Sequence, residues 1–410
     1  MAPREVDYLI VGGGLAGANC ARWLREEGGI EHSIVLVGRE PDPPYNRPPL
    51  SKGFLQGKES KEDALFRPNE WWDEQRIEVL TRTSVMKLDA TGRVATLSNK
   101  EEVRFEGGLL ATGSNVRRLR VDGCDLDGIH YLRAFGNSEA IRADAEQHGR
   151  AVLIGGSYIG CEVAASLTAA HDVECEIVMM EDVTFEPLFG KEVGGFFQGV
   201  LEEHGIKVHG GEELERFEGD GSRVTKVVTK SGLEIECDFV VVGIGVTPDV
   251  TLAKAAGLEI GEQGGVKCSA ELETSQPNIY AAGDICEYDS PVHGRPMRIE
   301  HWDVAFNQGK TAALNLLGRG LEHNVVPYFF SDLADWASME YVGPGSGDTV
   351  IRGSLDDGEF LAFYIDEEQV KAALSVGRSD DLDEARRFIS EKTKVDESKL
   401  ADTETDLSSL

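Results

Sequence analysis

The sequence predicts an α/β fold in which two domains are built on parallel sheets and a small α+β domain follows them. Apolar runs at Tyr8–Val11 and Val152–Ile154 each lead into a glycine-rich turn and then into a helical pattern. After Tyr328 the pattern changes to alternating strands. The 410 residues, 41% of them apolar, are enough for two or three domains with cores of their own.

The first glycine turn runs from Gly12 to Gly17 and completes a GxGxxG pattern through Gly14, Leu15 and Ala16. Between a buried strand and a helix, such a turn directs backbone N–H groups and the positive end of the helix dipole at a pyrophosphate. Glycine turns also occur wherever a chain needs a positive φ. Only the surrounding elements show whether this turn binds phosphate or serves the backbone alone.

The second turn has the same design and runs from Gly155 to Gly160. Ser157 occupies the middle position, where the backbone is expected to approach the phosphates most closely, and Tyr158 and Ile159 open the predicted helix. This copy of the pattern is therefore slightly imperfect.

Both turns have the surroundings of a Rossmann-like unit. Each is followed by a helix, a second apolar strand and a carboxylate, which is Glu40 in the first copy and Glu181 in the second. Because strand, turn, helix, strand and acid all occur twice, the sequence predicts two Rossmann-like dinucleotide-binding domains. The helices are predicted at 15–24 and 159–167, and the second strands at 34–38 and 177–180.

The ends of apolar runs predict the domain boundaries. One strand stops at Ala111-Thr112-Gly113, and the apolar run of the second half ends at Gly245 before a Thr-Pro break. We expect one dinucleotide-binding domain from 1–116 and 247–325, and the other from 117–246. A C-terminal α+β domain is expected at 326–395, and an acidic tail that frays at 396–410.

The remaining elements follow from hydrophobic periodicity. A β segment over 278–284 ends where Asp284 follows Gly283, and a helix is predicted from about 306 to 317. The C-terminal domain is predicted to contain strands at 349–352, 360–364 and 370–376, and a helix near 382–391.

Charge and composition narrow the functional classes. A formal charge of −32 argues against nucleic acid and against an anionic membrane surface as partners. No apolar stretch approaches the ~20 residues of a membrane span, so we expect a cytoplasmic protein with no membrane partner. The seven cysteines are widely spaced without a CxxC motif, and no metal is expected.

The segment 45–52, Tyr-Asn-Arg-Pro-Pro-Leu-Ser-Lys, resembles the flavoprotein family of ferredoxin and rubredoxin reductases. The resemblance covers nearly the whole chain and is carried further by four stretches: 154–162, 280–284, 300–302 and 328–332. It implies a glutathione-reductase-like fold, with FAD and NADH as cofactors.

The resemblance also implies roles for individual residues. The first glycine turn is expected to bind the FAD pyrophosphate, Arg47 and Lys52 the phosphate and flavin regions, and Asp284 the ribityl chain. Lys52 is expected to pair with Glu162 beside flavin N5, where a cation favours the electron-rich reduced flavin. The alternative for Lys52 is a solvated surface lysine.

Further residues are assigned to the cofactors by the same resemblance. Glu300, His301 and Trp302 are expected at the flavin edge, and Phe330 over the flavin or nicotinamide ring, where relatives commonly have tryptophan. Taken alone, His301 reads as a packing histidine, and Phe330 also fits an ordinary core position. The cofactor-binding set is completed by Ala111, Thr112, Gly113, Gly283 and Gly245.

Two acidic positions bear on the riboses. Where relatives commonly have an acid for the FAD ribose, this chain has Arg39 followed by Glu40, and of these we favour Glu40. Glu181 ends the strand where the NAD ribose is expected, and a carboxylate there accepts hydrogen bonds from a 2′-hydroxyl and repels a 2′-phosphate. Since no arginine or lysine follows until Lys191, the sequence predicts a preference for NADH over NADPH.

The predicted reaction is hydride transfer from NADH to FAD, followed by passage of electrons to a small iron–sulfur protein of the ferredoxin or rubredoxin type. Such a protein would serve a P450 or a Rieske oxygenase. Related disulfide reductases place a cysteine near the flavin, but this chain has none between Cys20 and Cys124, so dithiol chemistry is not expected.

Two alternatives stay open at the level of the sequence. One is an enzyme that reduces small acceptors, namely an NADH oxidase or a quinone or monodehydroascorbate reductase. The other is an apoptosis-inducing-factor-like binding protein that senses NADH. Against it, a chain with a formal charge of −32 lacks the positive charge expected of a protein in that role. A monomer or a homodimer is compatible with each.

Overall fold

A computed structural model describes residues 2–410, which adopt the predicted α/β fold. In chain order the strands are β1 (Arg4–Val11), β2 (Ile34–Val37), β3 (Ile77–Leu80), β4 (Val85–Asp89), β5 (Val94–Leu97), β6 (Glu102–Leu110), β7 (Ser114–Val116), β8 (Ile129–Tyr131), β9 (Arg150–Ile154), β10 (Glu174–Val178), β11 (Lys207–His209), β12 (Leu214–Asp220), β13 (Arg223–Thr229), β14 (Glu234–Glu236), β15 (Phe239–Val242), β16 (Val246–Pro248), β17 (Val266–Cys268), β18 (Ile279–Ala281), β19 (Cys286–Ser290), β20 (Arg295–Met297), β21 (Tyr328–Leu333), β22 (Ala337–Val342), β23 (Asp348–Ser354), β24 (Glu359–Asp366) and β25 (Gln369–Val376).

The α-helices are α1 (Leu15–Gly28), α2 (Lys61–Ala64), α3 (Asn69–Glu74), α4 (Phe135–Ala145), α5 (Tyr158–His171), α6 (Glu186–Glu203), α7 (Thr251–Ala255), α8 (Trp302–Leu316), α9 (Leu382–Glu391) and α10 (Glu397–Ala401). Short 3₁₀ turns occur at Pro48–Ser51, Gly283–Ile285, Ser379–Asp381 and Leu407–Ser409.

The chain divides into two compact units. The first comprises the described residues up to Asn46, together with Ala64–Asn115 and Thr247–Pro327. The second comprises Arg47–Asp63, Val116–Val246 and Tyr328–Leu410. The finer division into two dinucleotide-binding domains, a C-terminal domain and a tail stays a prediction.

The first unit is built on a sheet of order β3-β2-β1-β6-β5-β4, in which β18 also pairs with β6. Strands β1, β2, β3, β6 and β18 run parallel, and all four residues of β2 are buried, as expected of a strand covered on both faces. Helices α1 and α8 pack together at a small-residue contact, where a Cβ on Gly309 would lie 2.4 Å from the Ala16 carbonyl oxygen. This parallel arrangement brings the carboxyl ends of the strands to one edge.

The second unit contains an all-parallel sheet of order β11-β10-β9-β15-β8 and an antiparallel sheet of order β12-β13-β14. Its C-terminal part is an antiparallel sheet of order β21-β22-β25-β24-β23, with α9 packed on β25 and β22. The helix predicted at 382–391 has those bounds in the structure, and the three strands predicted from 349 onward are confirmed and slightly longer.

The expectation that residues 396–410 fray is wrong. The side chains of Leu400 and Leu407 are buried, and the segment forms α10 and a 3₁₀ turn. Arg352, on β23, is itself buried and donates to four main-chain carbonyls of the tail, those of Leu400, Asp402, Thr403 and Thr405. The acidic composition suggested a solvated segment, whereas one buried guanidinium and two leucines hold it in place.

We expect Arg352→Met to release the tail, because four carbonyl oxygens lose their charged donor. The free energy of local opening of residues 396–410, measured by amide hydrogen exchange, should fall by about 3 kcal/mol. As a matched control, Arg386→Met removes an exposed guanidinium that lies 3.0 Å from Asp383 and should change the same quantity by less than about 0.5 kcal/mol. Unchanged exchange in Arg352→Met would show that the leucines alone fix the tail.

Candidate cofactor-binding site

The first glycine turn is shaped by two close backbone approaches. Gly12 has a φ of 123°, and a Cβ there would lie 2.0 Å from the Ala111 carbonyl oxygen. A Cβ on Gly17 would lie 2.0 Å from the carbonyl oxygen of Gly12. At Gly14, in contrast, a Cβ would meet no described atom within 4 Å. Two of the three pattern glycines are thus required by the fold itself, and the third faces open space.

Helix α1 begins directly after this turn, at Leu15. Within residues 2–410, no side chain caps Gly14 and the first turn of the helix contains no acidic residue. The first N–H groups of a helix have no partner within the helix, and the dipole adds positive potential there. The open position at Gly14 and the uncapped amides of Leu15, Ala16 and Gly17 fit the pyrophosphate of FAD.

The predicted residues Ala111, Thr112 and Gly113 lie beside the same turn, at the carboxyl end of β6. The Ala111 N–H donates to the Val11 carbonyl at 2.8 Å, which continues the pairing of β1 with β6. The Thr112 hydroxyl donates to the Asp249 carbonyl at 2.6 Å, and the Asp249 N–H donates to the Gly113 carbonyl at 2.8 Å. These bonds fix the edge of the sheet where a ligand is expected in such folds.

Arg39 and Glu40 both follow the carboxyl end of β2, and their side chains have different partners. The Arg39 guanidinium lies 3.0 Å from the Asp249 carboxylate and also donates to Asn115. The carboxylate of Glu40 accepts a hydrogen bond from the Tyr45 hydroxyl at 2.5 Å. The Asp249 ion pair directs Arg39 at protein acceptors, which favours Glu40 as the ribose partner and leaves that role a proposal.

Gly283 and Asp284 begin a 3₁₀ turn after β18. Gly283 has a φ of 76°, and its N–H donates at 2.8 Å to the side-chain oxygen of Gln308, which is completely buried. Arg298 donates to the Asp284 carbonyl at 3.0 Å and pairs with Glu300 at 2.5 Å. Gln308 was missed in the sequence, because the helix also contains Asp303, Asn307, Lys310 and Asn315 and nothing marks Gln308 among these polar residues.

His301 and Trp302 lie at the start of α8. Burial lowers the pKa of His301 to about 4, against a smaller raising effect of Asp284, so the imidazole is neutral at pH 7. The indole N–H of Trp302 donates to Asn46 at 3.2 Å, and its ring stacks on Phe306 with centroids 5.3 Å apart. The structure therefore gives the Trp302 side chain a fixed position within the first unit.

The second glycine turn repeats the close approaches of the first. Gly155 has a φ of 110°, and a Cβ there would lie 2.4 Å from the Gly243 carbonyl oxygen. A Cβ on Gly160 would lie 1.9 Å from the Gly155 carbonyl oxygen. Ser157 has a φ of −113°, which any residue adopts, so the departure from glycine costs no backbone strain.

Helix α5 begins at Tyr158 and continues through Ile159. Among the described residues no side chain caps Ser157, and no acid stands in the first turn. Gly245, with a φ of 89°, ends the run after β15 and accepts a hydrogen bond from the Arg117 N–H at 3.0 Å. The uncapped helix start again fits an anion such as the pyrophosphate of a dinucleotide.

Glu181 lies just after the carboxyl end of β10, where the main chain is held by a 2.9 Å bond from the Gly211 N–H to the Glu181 carbonyl. Lys191, the first cation to follow it in sequence, pairs with Asp182 and lies 3.6 Å from Glu186. Both acids lie within a few residues of Glu181. The nearest positive charge in sequence is therefore already neutralised by carboxylates.

Lys52 and Glu162 form an ion pair within the second unit, as the family resemblance implies. The side chain of Lys52 is 16% exposed and that of Glu162 is 7% exposed, so the reading of Lys52 as a solvated surface lysine is wrong. Glu162 also accepts hydrogen bonds from Ser51 and Ser331, which sequence reasoning did not assign. Arg47, five residues before Lys52, donates to the Arg133 carbonyl.

Phe330 is 36% exposed, whereas its neighbours Phe329 and Ser331 on β21 are buried. This alternation is that of a strand with one face on a core. The interpretation of Phe330 as an ordinary core phenylalanine is therefore wrong. Its ring remains accessible for stacking.

Within residues 2–410 the cysteines have neither disulfide partners nor a metal centre. All seven cysteines are free, and six are buried. Cys161, next to Glu162, has a thiol whose pKa is raised by burial, which disfavours the reactive thiolate. In that same range no group of three or more His, Cys, Asp or Glu side chains is suited to a metal ion, and no helix is long and apolar enough to cross a membrane.

Two glycine turns with uncapped helix starts and a buried lysine–glutamate pair define an NAD(P)H-dependent flavoprotein reductase, with FAD and NAD(P)H as its cofactors. Residues 6–309 match the family described as pyridine nucleotide-disulphide oxidoreductase, and residues 328–410 match the C-terminal domain of reductases. The chain belongs to the pyridine nucleotide-disulphide oxidoreductase family.

Several relatives match this chain over nearly its full length and nearly all of their own. Rhodocoxin reductase of Rhodococcus erythropolis is 32% identical over 98% of this chain and 93% of its own length. The ferredoxin–NAD(+) reductase component of the anthranilate 1,2-dioxygenase system of Burkholderia cepacia is 32% identical over 96% of this chain and 97% of its own. The solved covalent complex of putidaredoxin reductase with putidaredoxin matches with a TM-score of 0.93 at 30% identity, covering 98% of this chain and 97% of that chain.

Proposed function

We propose that this protein passes electrons from NADH through FAD to a separate small iron–sulfur protein of the ferredoxin or rubredoxin type. When bound, FAD supplies the chemistry that accepts one hydride, and with it two electrons, and then releases the electrons singly. The protein contributes binding, orientation and electrostatics. A P450 or a Rieske-type oxygenase is the proposed consumer of the electrons.

The buried ion pair of Lys52 and Glu162 carries this proposal. Among residues 2–410, Glu162 is the one side chain that pairs with the Lys52 ammonium, which has three N–H donors. The Lys52 side chain is 16% exposed, so its remaining N–H donors are open to a further acceptor, and the proposed one is the flavin. Because a nearby cation favours the electron-rich reduced flavin, the pair would stabilise the reduced cofactor and take no electrons itself.

The names of the relatives support a protein acceptor. One is named rhodocoxin reductase, one is the ferredoxin–NAD(+) reductase component of a dioxygenase system, and the third is a reductase solved in covalent complex with putidaredoxin. All three align with this chain almost end to end. The charge of −32 argues against nucleic acid as a partner. A monomer or a homodimer, and a cytoplasmic location, remain predictions.

Rapid mixing under anaerobic conditions tests the proposal. NADH should bleach the flavin absorbance, and a [2Fe–2S] ferredoxin or a rubredoxin mixed in second should restore it within the turnover time. Restoration by quinone or oxygen but by none of the iron–sulfur proteins would instead favour an enzyme for small acceptors. A long-lived reduced form whose sedimentation changes with NADH would favour the NADH-sensing binding protein.

A further inference from the structure

The carboxylate of Glu162 is held at three points. Its Oε1 accepts a hydrogen bond from the Ser331 hydroxyl at 2.6 Å and pairs with the Lys52 ammonium. Its Oε2 accepts a hydrogen bond from the Ser51 hydroxyl at 2.5 Å. Both serines are buried, with 3% and 1% of Ser51 and Ser331 exposed. Each oxygen of the carboxylate therefore has its own hydroxyl donor.

The donors come from different parts of the second unit. Ser51 ends the 3₁₀ turn that precedes Lys52, and Ser331 lies on β21 of the C-terminal sheet. Strand β21 is fixed on α5 by Phe329, whose ring packs edge-on against Tyr158 with centroids 4.9 Å apart. Since side chains alternate along a strand, placing Phe329 on α5 also places Ser331 there.

Three donors restrict the carboxylate more than one ion pair does. A carboxylate bound only to an ammonium can rotate about its terminal torsion and carry its partner with it, because that torsion is soft. With Ser51 on one oxygen and Ser331 on the other, Glu162 has a single orientation that satisfies all its donors. The position of the Lys52 ammonium is then set by groups that do not touch it.

We propose that Ser51 and Ser331 are positioning residues that orient Glu162, and through it Lys52, toward the flavin. The proposal rests on the proposed function, in which this pair lies beside the flavin ring. It assigns the C-terminal sheet a part in setting the redox properties of the cofactor. If the hydroxyls only satisfied a buried carboxylate, their removal would change stability and leave the flavin unaffected.

The flavin midpoint potential is the first readout. In FAD-loaded Ser331→Ala and Ser51→Ala, equilibrated with a reference dye, the ratio of reduced to oxidised flavin at a fixed potential should fall about tenfold, as expected for losing one hydrogen bond to a charged group. For a two-electron couple this is a fall of about 30 mV. Ser331→Thr keeps the hydroxyl and should retain the parent potential.

A second readout does not depend on turnover. Competitive acylation with trace acetic anhydride, followed by mass spectrometry, measures how readily the Lys52 amine reacts. We expect the Lys52 amine to react about threefold faster in both alanine variants. Glu162 is then no longer held in one orientation and pairs with the ammonium for less of the time. Ser375→Ala removes an equally buried hydroxyl from the same C-terminal sheet without contact to Glu162, and should change neither quantity.

The outcomes distinguish failure of the positioning role of Ser51 and Ser331 from failure of the proposed function. A lower potential and faster acylation in both variants, with parent behaviour in Ser331→Thr, support the positioning role. Parent values in both variants, a raised potential, or an equal shift in Ser375→Ala overturn it. Failure of the parent protein to be reduced by NADH is a different result, because it overturns the proposed function whatever the serine variants do.

Discussion

Gly14→Ala should weaken FAD binding by about tenfold to a hundredfold and leave the apoprotein nearly as stable as the parent. A Cβ at Gly14 meets no described atom within 4 Å, and the backbone there has a φ of −77°, which alanine adopts freely. The added methyl therefore costs the fold little, less than about 1 kcal/mol for a residue preceding a helix. It would instead occupy the space where the pyrophosphate is expected, and overpacking of this kind costs about 1–3 kcal/mol.

Gly17→Ala is the contrasting variant. Its Cβ would lie 2.0 Å from the Gly12 carbonyl oxygen, a backbone atom that cannot move without opening the turn. We expect the apoprotein itself to lose about 1–3 kcal/mol, and FAD binding to weaken as a consequence. The pair of variants thus separates a glycine required by the ligand from one required by the fold.

The measurements are urea unfolding of the apoprotein and titration of the apoprotein with FAD, followed by flavin fluorescence. Gly199→Ala serves as a control for adding a methyl, since a Cβ there, inside α6, also meets nothing within 4 Å. It should leave FAD affinity unchanged and raise stability by up to about 1 kcal/mol. Parent affinity for FAD in Gly14→Ala would mean that the pyrophosphate does not lie at this turn.

Much of the fold could be predicted because its signals are local. The glycine turns follow from spacing alone, and the close approaches at Gly12 and Gly155 explain why larger residues are excluded there. Helix α9 has its predicted bounds, since its apolar residues recur at helical spacing. Family resemblance predicted the Lys52–Glu162 pair, which no periodicity in the sequence reveals.

The contacts that escaped prediction connect residues far apart in sequence. Ser331 touches Glu162, and Gln308 holds the Gly283 N–H, but a serine in a strand or a glutamine in a helix gives no sign of its partner. Charge composition also misled at the C-terminus, where Arg352 anchors a tail that would otherwise be solvated. Local patterns predict elements, whereas buried polar contacts depend on tertiary packing.

Glu181→Arg should shift the coenzyme preference from NADH toward NADPH, raising the ratio of kcat/KM for NADPH over NADH by about a hundredfold. Glu181 follows the carboxyl end of β10, where the adenosine ribose is expected in a Rossmann-like domain. A carboxylate there accepts from the 2′-hydroxyl of NADH and repels the 2′-phosphate of NADPH. Arginine removes the repulsion and adds a bidentate donor for phosphate.

The charges around Glu181 leave this residue as the main determinant of the expected coenzyme preference. Lys191 is the first cation to follow Glu181, yet it is paired with Asp182 and lies close to Glu186. Asp182→Asn should therefore raise the use of NADPH only about threefold, since both side chains of this ion pair are largely exposed and water screens their attraction, and Glu186 still holds the lysine. Combined with Glu181→Arg, it should add a second cation for the 2′-phosphate.

Steady-state kinetics with both coenzymes and a fixed dye acceptor decide the matter. Glu203→Arg makes the same charge change at the C-terminal end of α6, whose continuous part after the non-helical Gly190 spans about 20 Å, and should leave the NADPH to NADH ratio within about twofold of the parent. If Glu203→Arg shifts the ratio as far as Glu181→Arg, net charge sets the preference and the ribose assignment fails. If neither variant shifts it, the adenosine ribose lies elsewhere, and the second glycine turn alone no longer locates the NADH site.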